Sequence, residues 1–321
     1  LWAAYAMAQF PITDKLHFSG GLRIESSVQT VNSFVMHIEG EKTKGEISET
    51  DPLPAVNLIY SLTPKSKLRF AASQTVSRPD FRELSEYEYT DFDAGYKFKG
   101  YPELERALIR NFDLRYETIY LGSNLFSVSV FYKYFHKPIE EVFADITQKM
   151  FSFRNANSAY NYGVELELRQ DLGLLTPILN PLSISTNFTY LKSEVDIDSV
   201  TTGGAASSGN RPMQGQSPYL FNFNLHYLHP VYFTQVDLLF NVFGKRISQV
   251  GAWKLPDLYE LPHPDLDLTF RQPISSKFTI KGSAENLLNS EIKFRLHDTE
   301  LFVEKFRDGR TYSIGITYQP F

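Results

Sequence analysis

The histidines and the paired carboxylates are the residues of this sequence that could bind a metal or catalyse a reaction. His226 and His229 are three positions apart on or beside a predicted strand, so alternation puts them on opposite faces, which is wrong for binding one metal ion. Glu165 and Glu167 share a strand face, and such a pair lines a polar interior more often than it forms a glycosidase pair. The sequence contains no GxSxG elbow, phosphate-binding loop, HExxH or dinucleotide fingerprint. We therefore predict no catalytic residue, no metal site and no cofactor, so the protein is not expected to be an enzyme.

Aromatic residues in two long connections are the candidates for ligand binding. The segment Arg78–Ala107 places rings beside carboxylates, and this combination binds sugars, peptides or cations through stacking and hydrogen bonds. The alternative is that the same side chains pack the segment into a lid that has no ligand site. A second aromatic connection, Gly244–Pro264, could contact a ligand or a partner. The candidate contact residues are Tyr87, Tyr89, Phe92, Tyr96, Tyr101, Trp253 and Tyr259, of which the first five lie among Glu83, Glu86, Glu88, Asp91 and Asp93.

The stretch Ala156–Leu172 shows which kind of element must position these residues. Between Tyr160 and Arg169 apolar residues alternate with polar or charged ones, and a period of two indicates a β-strand between two environments. In a soluble sandwich the apolar face would be the core, whereas in an outer-membrane barrel it would meet lipid and the polar face would line the lumen. In the barrel, a cation at Val164 should damage assembly and a cation at Glu167 should be tolerated. The residues predicted to face lipid are Tyr160, Tyr162, Val164, Leu166 and Leu168, with Asn161 on the opposite face.

About thirteen strands of this kind are predicted, and their connections alternate strictly between short turns and long segments such as Val31–Asp51. This alternation is typical of an up-and-down transmembrane barrel. Stacked soluble β-domains would mix their connection lengths and would need crossovers. The predicted fold is therefore all-β, a transmembrane antiparallel up-and-down β-barrel. Its predicted lumen-lining residues are Arg115, Glu117, Glu165, Glu167, Arg169, Asp267 and Arg271.

Composition restricts the remaining classes of protein. The net charge of -5 argues against a nucleic-acid partner, and the absence of cysteine excludes a disulfide scaffold and a thiolate metal site. No apolar run approaches the ~18 residues of a membrane helix. The chain begins LWAAYAMAQF, without a basic region or an Ala-x-Ala cleavage site, so we predict that it contains no signal peptide.

Five motifs in a fixed order resemble one known family. They are SRPDFREL at Ser77–Leu84, NFDLRYE at Asn111–Glu117, YGVELE at Tyr162–Glu167, ENLLN at Glu285–Asn289 and the final RTYSIGITYQPF. Together they resemble the C-terminal portion of a TonB-dependent receptor barrel of the type abundant in Bacteroidota. The resemblance implies a barrel of about 22 strands around an N-terminal plug, of which this chain would supply about strands ten to twenty-two. Residues 1–321 are thus expected to be the C-terminal portion of an outer-membrane β-barrel domain, without the plug, the TonB box or the early strands.

The same resemblance implies a function and partners. It predicts energised uptake of a large nutrient, such as an oligosaccharide, a peptide or a chelated metal, across the outer membrane of a Gram-negative bacterium. The implied partners are outer-membrane lipid, the protein's own plug and TonB, with a surface lipoprotein or other outer-membrane complex subunits as further candidates. The alternative is a receptor-like barrel that serves as a structural subunit of an outer-membrane assembly or secretion complex.

Overall fold

A computed structural model describes residues 1–34, 42–92, 95–145, 150–196, 210–251 and 256–320. These ranges contain one short helix, α1 (Phe81–Leu84), two 3₁₀ turns (Leu172–Leu174 and Pro177–Leu179) and twenty-two strands. The strands are β1 (Trp2–Pro11), β2 (Leu16–Phe34), β3 (Lys42–Ser61), β4 (Ser66–Ser77), β5 (Glu88–Asp91), β6 (Tyr96–Lys99), β7 (Ala107–Tyr120), β8 (Asn124–His136), β9 (Ile139–Asp145), β10 (Met150–Asn155), β11 (Ser158–Asp171), β12 (Leu182–Asp196), β13 (Asn210–Arg211), β14 (Tyr219–Leu228), β15 (Gln235–Phe243), β16 (Arg246–Gln249), β17 (Leu258–Glu260), β18 (Asp265–Pro273), β19 (Phe278–Glu285), β20 (Ile292–Leu296), β21 (Phe302–Phe306) and β22 (Thr311–Tyr318).

Thirteen of these strands form one antiparallel sheet, which we call the wall. Its order is β1-β2-β3-β4-β7-β8-β11-β12-β14-β15-β18-β19-β22, and the short strand β13 pairs with β12. Each strand of the wall thus lies next to the preceding and the following wall strand, with β1 and β22 at the edges. The predicted all-β, up-and-down architecture and its thirteen strands are confirmed.

The wall has one apolar and one polar face. Cross-strand register aligns Leu114, Val130, Val164 and Tyr190 in one row, and these four side chains are 39–59% exposed. The neighbouring row aligns Arg115, Ser129, Glu165 and Thr189. Since directly opposed residues of a ladder point to the same side and successive residues to opposite sides, the two rows lie on opposite faces.

Buried apolar residues gather where the long connections pack against the wall strands, and not on the apolar face of the wall. One cluster contains Ile47, Leu84 and Leu104, and another contains Ile247, Val250 and Tyr259. A single-layered wall has no second sheet against which to pack, so its apolar face needs a different apolar environment. Among the described residues, no helix is long and apolar enough to cross a membrane.

The predicted connection Val31–Asp51 is wrong for most of its length. Strands β2 and β3 remain paired from Leu16 and Tyr60 up to Phe34 and Lys42, so they form a hairpin much longer than the other strands of the wall. In the part of this hairpin that is farthest from the Leu16–Tyr60 pair, charged and small polar residues occur on both faces. The two-sided alternation that reveals a strand in the sequence is therefore lost there.

Two further sheets are built from the long connections. The lid sheet has the order β5-β6-β10-β9, and the second loop sheet has the order β16-β17-β20-β21. The segments Arg78–Ala107 and Gly244–Pro264, predicted as connections between wall strands, thus contain short strands of their own. The last long connection, Leu287–Gly309, contains β20 and β21, which pair with each other.

Candidate functional site

The lid sheet is held together by a ladder of aromatic rings. Strand β6 pairs with β5 on one side and, in parallel, with β10 on the other, which brings Phe98 next to Tyr89 and Phe151. The ring centroids of Phe98 lie 5.3 Å from Tyr89, 5.6 Å from Phe151 and 6.5 Å from Phe153, and Tyr96 meets Phe151 edge-on at 5.2 Å. The predicted residues Tyr89 and Tyr96 are therefore packed into the sheet. The three phenylalanines were missed, and the alternating sequences of β6 and β10 were the only signal for them.

The other predicted aromatics of this segment differ in exposure. Tyr87 is 60% and Phe92 is 90% exposed, so both can meet a ligand from outside. Tyr101 is held in place, because the guanidinium of Arg154 lies 3.5 Å from its ring centroid and its hydroxyl donates a hydrogen bond to Glu103 at 2.5 Å. That hydrogen bond, together with burial, raises the pKa of Tyr101.

A buried ion-pair network anchors the lid sheet to the wall. Asp51 of β3 is completely buried and accepts hydrogen bonds from Arg78 Nη2 at 3.1 Å and Arg106 Nε at 2.5 Å. Arg78 also reaches Glu25 of β2 at 2.9 Å. Arg78 and Arg106 stand at the two ends of the segment that carries α1, β5 and β6. Arg78, the first of the two arginines of the SRPDFREL motif, therefore positions this segment, a role that the sequence did not show.

A cavity of about 860 Å³, which we call the vestibule, lies where the long connections meet the wall. Glu140 on its lining pairs with the buried Arg211 at 2.7 Å. Glu83 and Glu141 form no ion pair with the described residues, and burial raises the pKa of both carboxyl groups. The lining is therefore rich in hydrogen-bond acceptors. The part of the chain that is described contains no group of three side chains able to hold a metal ion.

Four predicted lumen residues of β7 and β11, together with Arg69 of β4, form a chain of four ion pairs. Arg69 Nη2 lies 2.6 Å from Glu117, and Arg115 bridges Glu117 at 3.3 Å and Glu167 at 2.8 Å. Arg169 completes the chain by contacting Glu167 at 2.9 Å. These charges stabilise one another on the polar face, where each carboxylate has two cationic neighbours.

The intervening strand β8 lets these side chains meet. Between β7 and β11 it presents Ser127 and Ser129 on the polar face, and such small side chains leave room for Arg115 to reach across. Glu165, Asp267 and Arg271 are placed on the same face by the register. All seven predicted lumen residues thus share one face of the wall, and the prediction that this face lines a lumen stays a prediction.

The second aromatic connection is only partly described. Tyr259 lies on β17 and is 9% exposed, with Lys245 Nζ 4.3 Å above its ring and the ring of His297 at 5.0 Å. It is therefore a packed residue of the second loop sheet. Trp253 lies outside the described residues.

Comparison with known proteins is consistent with this architecture. The family described as "TonB dependent receptor-like, beta-barrel" matches residues 1–287. The siderophore receptor PirA from Pseudomonas aeruginosa is similar in structure (TM-score 0.61, 15% identity) over 98% of this chain and 46% of its own. The ferric yersiniabactin uptake receptor FyuA from Yersinia pestis (TM-score 0.68, 16% identity) matches over 99% and 45%, and the FrpB iron transporter from Neisseria meningitidis (TM-score 0.66, 14% identity) over 98% and 44%.

The chain spans a little under half the length of these solved structures. A comparison with curated proteins found no match. These matches do not distinguish the type of receptor that is abundant in Bacteroidota from other types, so that part of the resemblance stays a prediction. Because the family match covers most of the chain, the conclusion at family level is direct: the chain belongs to the TonB dependent receptor-like β-barrel family, whose members are outer-membrane receptors of Gram-negative bacteria and not enzymes.

Proposed function

We propose that this chain forms the wall and the outer mouth of a transporter that imports a large nutrient across the outer membrane. The nutrient would be an oligosaccharide, a peptide or a chelated metal. The observation that supports this proposal is the segregation of the wall into an apolar face and a face with a continuous chain of ion pairs. Such a wall suits a barrel that meets lipid outside and a polar path inside.

Residues 1–321 would be the C-terminal portion of the barrel domain of a longer protein. A plug supplied by the rest of that protein would face Arg115, Glu117, Glu165, Glu167, Arg169, Asp267 and Arg271. TonB would act on the plug, and a surface lipoprotein could cover the mouth. In this arrangement the polar face forms hydrogen bonds with both the plug and the moving substrate, because ion-paired side chains still contact water and hydrogen-bond donors.

The vestibule is the proposed site where substrate first binds. The segment that supplies Glu83 to its lining also carries the exposed rings of Tyr87 and Phe92, which suit stacking on sugar rings or apolar side chains. Its acids Glu83 and Glu141 form no ion pair with the described residues; besides the hydrogen bonds that they accept from the Asp80 amide and from Gln214, their carboxyl oxygens can accept further donors and disfavour anions. Within the three nutrient classes, this lining favours a ligand rich in hydroxyl or amine donors, such as an oligosaccharide or a basic peptide, over an anionic metal chelate.

Nutrient uptake by a strain without the intact receptor tests this proposal. We expect that deletion abolishes growth on one nutrient class, that the wild-type gene restores it, and that restoration fails when TonB is absent. Replacing both vestibule acids (Glu83→Gln with Glu141→Gln) should weaken substrate binding, whereas the matched change Glu88→Gln on β5, outside the vestibule lining, should not. Unimpaired growth on all three classes, together with isolation of the receptor in a fixed complex with other outer-membrane proteins, would instead favour a structural subunit.

A further inference from the structure

A second cavity, of about 480 Å³, adjoins the vestibule, and we call it the inner pocket. Arg246 and Ile247 belong to the linings of both cavities. Arg211, which lines the inner pocket, is directly opposed to Val195 of β12. Val195 has the same parity as Thr189, which lies in a row of the polar face. Arg211 is therefore on the polar, vestibule-facing side of the wall.

The chain that follows β13 is fixed between β12 and β16. The Met213 amide donates a hydrogen bond to Ser193 Oγ at 3.1 Å, and the Gly215 amide donates one to the Ile247 carbonyl at 2.8 Å. The next residue, Gln216, lines the inner pocket. This part of the lining is therefore held in place by hydrogen bonds within the protein, which lowers the entropy that a ligand would lose on binding.

Two buried polar atoms of the inner pocket lack a hydrogen-bond partner. Arg211 is 4% exposed, and its Nη1 and Nη2 donate to the Pro212 carbonyl and to Glu140. Its Nε has no hydrogen-bond partner among the described residues, and neither has the Oε1 of Gln216. Unsatisfied buried polar groups are costly and rare in folded proteins. A ligand that accepts one hydrogen bond from Arg211 and donates one to Gln216 would satisfy both.

The inner pocket also has one cation that no carboxylate neutralises. Both of its arginines are ion-paired with glutamates of neighbouring strands. Lys192, which lines the pocket from the other face of β12, approaches Glu194 at 3.9 Å. The fourth cation, Lys245, lies 4.3 Å above the ring of Tyr259 and forms no ion pair in the described part of the chain. A single excess positive charge suits a carboxylate better than a phosphate monoester, which carries almost two negative charges.

We propose that the inner pocket binds the carboxyl-terminal residue of an imported peptide. The terminal carboxylate would accept hydrogen bonds from Arg211 Nε and Lys245 Nζ, and the amide N–H of the same residue would donate to Gln216 Oε1. Pro212 and Pro218, which also line the pocket, offer apolar surface to the side chain of that residue. A neutral oligosaccharide has no anionic group for this site.

The adjoining vestibule matches the rest of such a ligand. Glu83 and Glu141 lie on its lining, where they can accept hydrogen bonds from ammonium or guanidinium groups of a peptide. Acids in one cavity and an excess cation in the next suit a chain that carries both signs of charge, and they disfavour a polyanion. This inference rests on the proposed function, because it selects one of the nutrient classes for the same site.

Peptide retention by the purified full-length receptor tests the inference. The probes are mixtures of synthetic pentapeptides that end in leucine, prepared as free acids and as C-terminal amides, and retained peptides are counted by mass spectrometry. The free acids should bind about 10-fold or more tightly than the amides, because the amide loses the charge-assisted hydrogen bonds. Lys245→Gln should weaken free-acid binding to a similar extent and leave amide binding unchanged. The control Lys97→Gln removes a cation from β6, outside both cavity linings, and should change neither.

Several outcomes would overturn the inference. Retention of neither form, or equal retention of acids and amides, would exclude recognition of the carboxylate. Equal weakening by Lys97→Gln and Lys245→Gln would mean that the lysines act as general surface charge. Lys245→Arg keeps the cation and should keep most of the free-acid binding; a loss as large as with glutamine would assign the effect to packing on Tyr259. Growth is measured separately: binding of free acids without TonB-dependent growth on peptides would contradict only the proposed function, whereas growth on an oligosaccharide without peptide retention would contradict only this inference.

Discussion

A lysine at Val164 should be far more harmful than a lysine at the adjacent Glu165. Val164 lies six residues from the beginning and seven from the end of β11. At about 3.4 Å per residue and a tilt of about 40°, ten residues span about 26 Å, close to the ~25 Å height of an apolar band. Val164 is therefore near the midplane, where a cation on the lipid face costs about 2–4 kcal/mol. This cost corresponds to a 30- to 700-fold smaller folding equilibrium constant, at about 1.4 kcal/mol per factor of ten.

Glu165→Lys is the matched control, since it puts the same side chain at the same depth on the polar face. It should change the free energy of unfolding by about 1 kcal/mol or less. Glu167 is a poorer control than the sequence indicated, because a cation there would meet Arg115 and Arg169. The assay is urea unfolding of the full-length receptor from phosphatidylcholine vesicles, followed by tryptophan fluorescence. Equal destabilisation by both variants would refute the assignment of the two faces.

Three further predictions concern the buried network, the close approach of strands and the lid sheet. Asp51→Asn leaves two partly buried guanidinium groups without their shared carboxylate, although Arg78 keeps Glu25 and Arg106 keeps Glu49, so we expect a loss of about 1–3 kcal/mol in urea unfolding. Gly163→Ala would place its Cβ 2.4 Å from the carbonyl oxygen of Tyr190, so it should cost about 1–3 kcal/mol. The hydrogen bond from Lys99, at 2.9 Å, holds the pKa of Glu86 below its ordinary value; this contribution is present above the unfolded pKa and lost as the pH falls through the folded pKa. The protection factors of the amides in β5 and β6, which are exchange rates corrected for the pH dependence of intrinsic exchange, should therefore fall on acidification.

Each of these predictions has an internal control. For the strand contact, Gly315→Ala on β22 adds a Cβ that meets nothing within 4 Å, and equal effects of the two alanines would contradict the steric argument. For the buried network, a loss below about 1 kcal/mol would mean that the arginines find other partners. For the lid sheet, Glu86→Gln should remove the pH dependence of the protection factors; an unchanged dependence would assign it to another group.

The wall was predictable from sequence because its signal is local. In β11, successive residues such as Val164 and Glu165 alternate between apolar and charged because they lie in two different environments. The same alternation recurs in the neighbouring wall strands. The resemblance carried by five motifs led to the same family. The parts of β2 and β3 nearest their connection were not predictable, since polar residues occupy both of their faces, including the face on which Asp51 and Ile47 are buried under the Arg78–Ala107 segment.

The sites in the long connections depend on contacts that sequence spacing does not reveal. Asp51 meets Arg106 at a separation of 55 residues, and Arg211 meets Glu140 at a separation of 71 residues. The parallel pairing of β6 with β10 likewise joins two different connections. Aromatic content drew attention to Tyr89 and Tyr96 as ligand contacts, but it did not show that Phe151, which packs against Tyr96, comes from a distant segment.

The orientation of β11 can be measured directly, because the chain contains no cysteine. Single cysteines at Val164, Leu166 and Leu168 and at Glu165, Glu167 and Arg169 would carry spin labels in the full-length receptor reconstituted into vesicles. The first three labels should collide mainly with lipid-dissolved oxygen and the last three mainly with a water-soluble nickel reagent, which gives an accessibility with period two. Equal accessibility of all six labels to the water-soluble reagent would contradict a wall between lipid and a polar lumen.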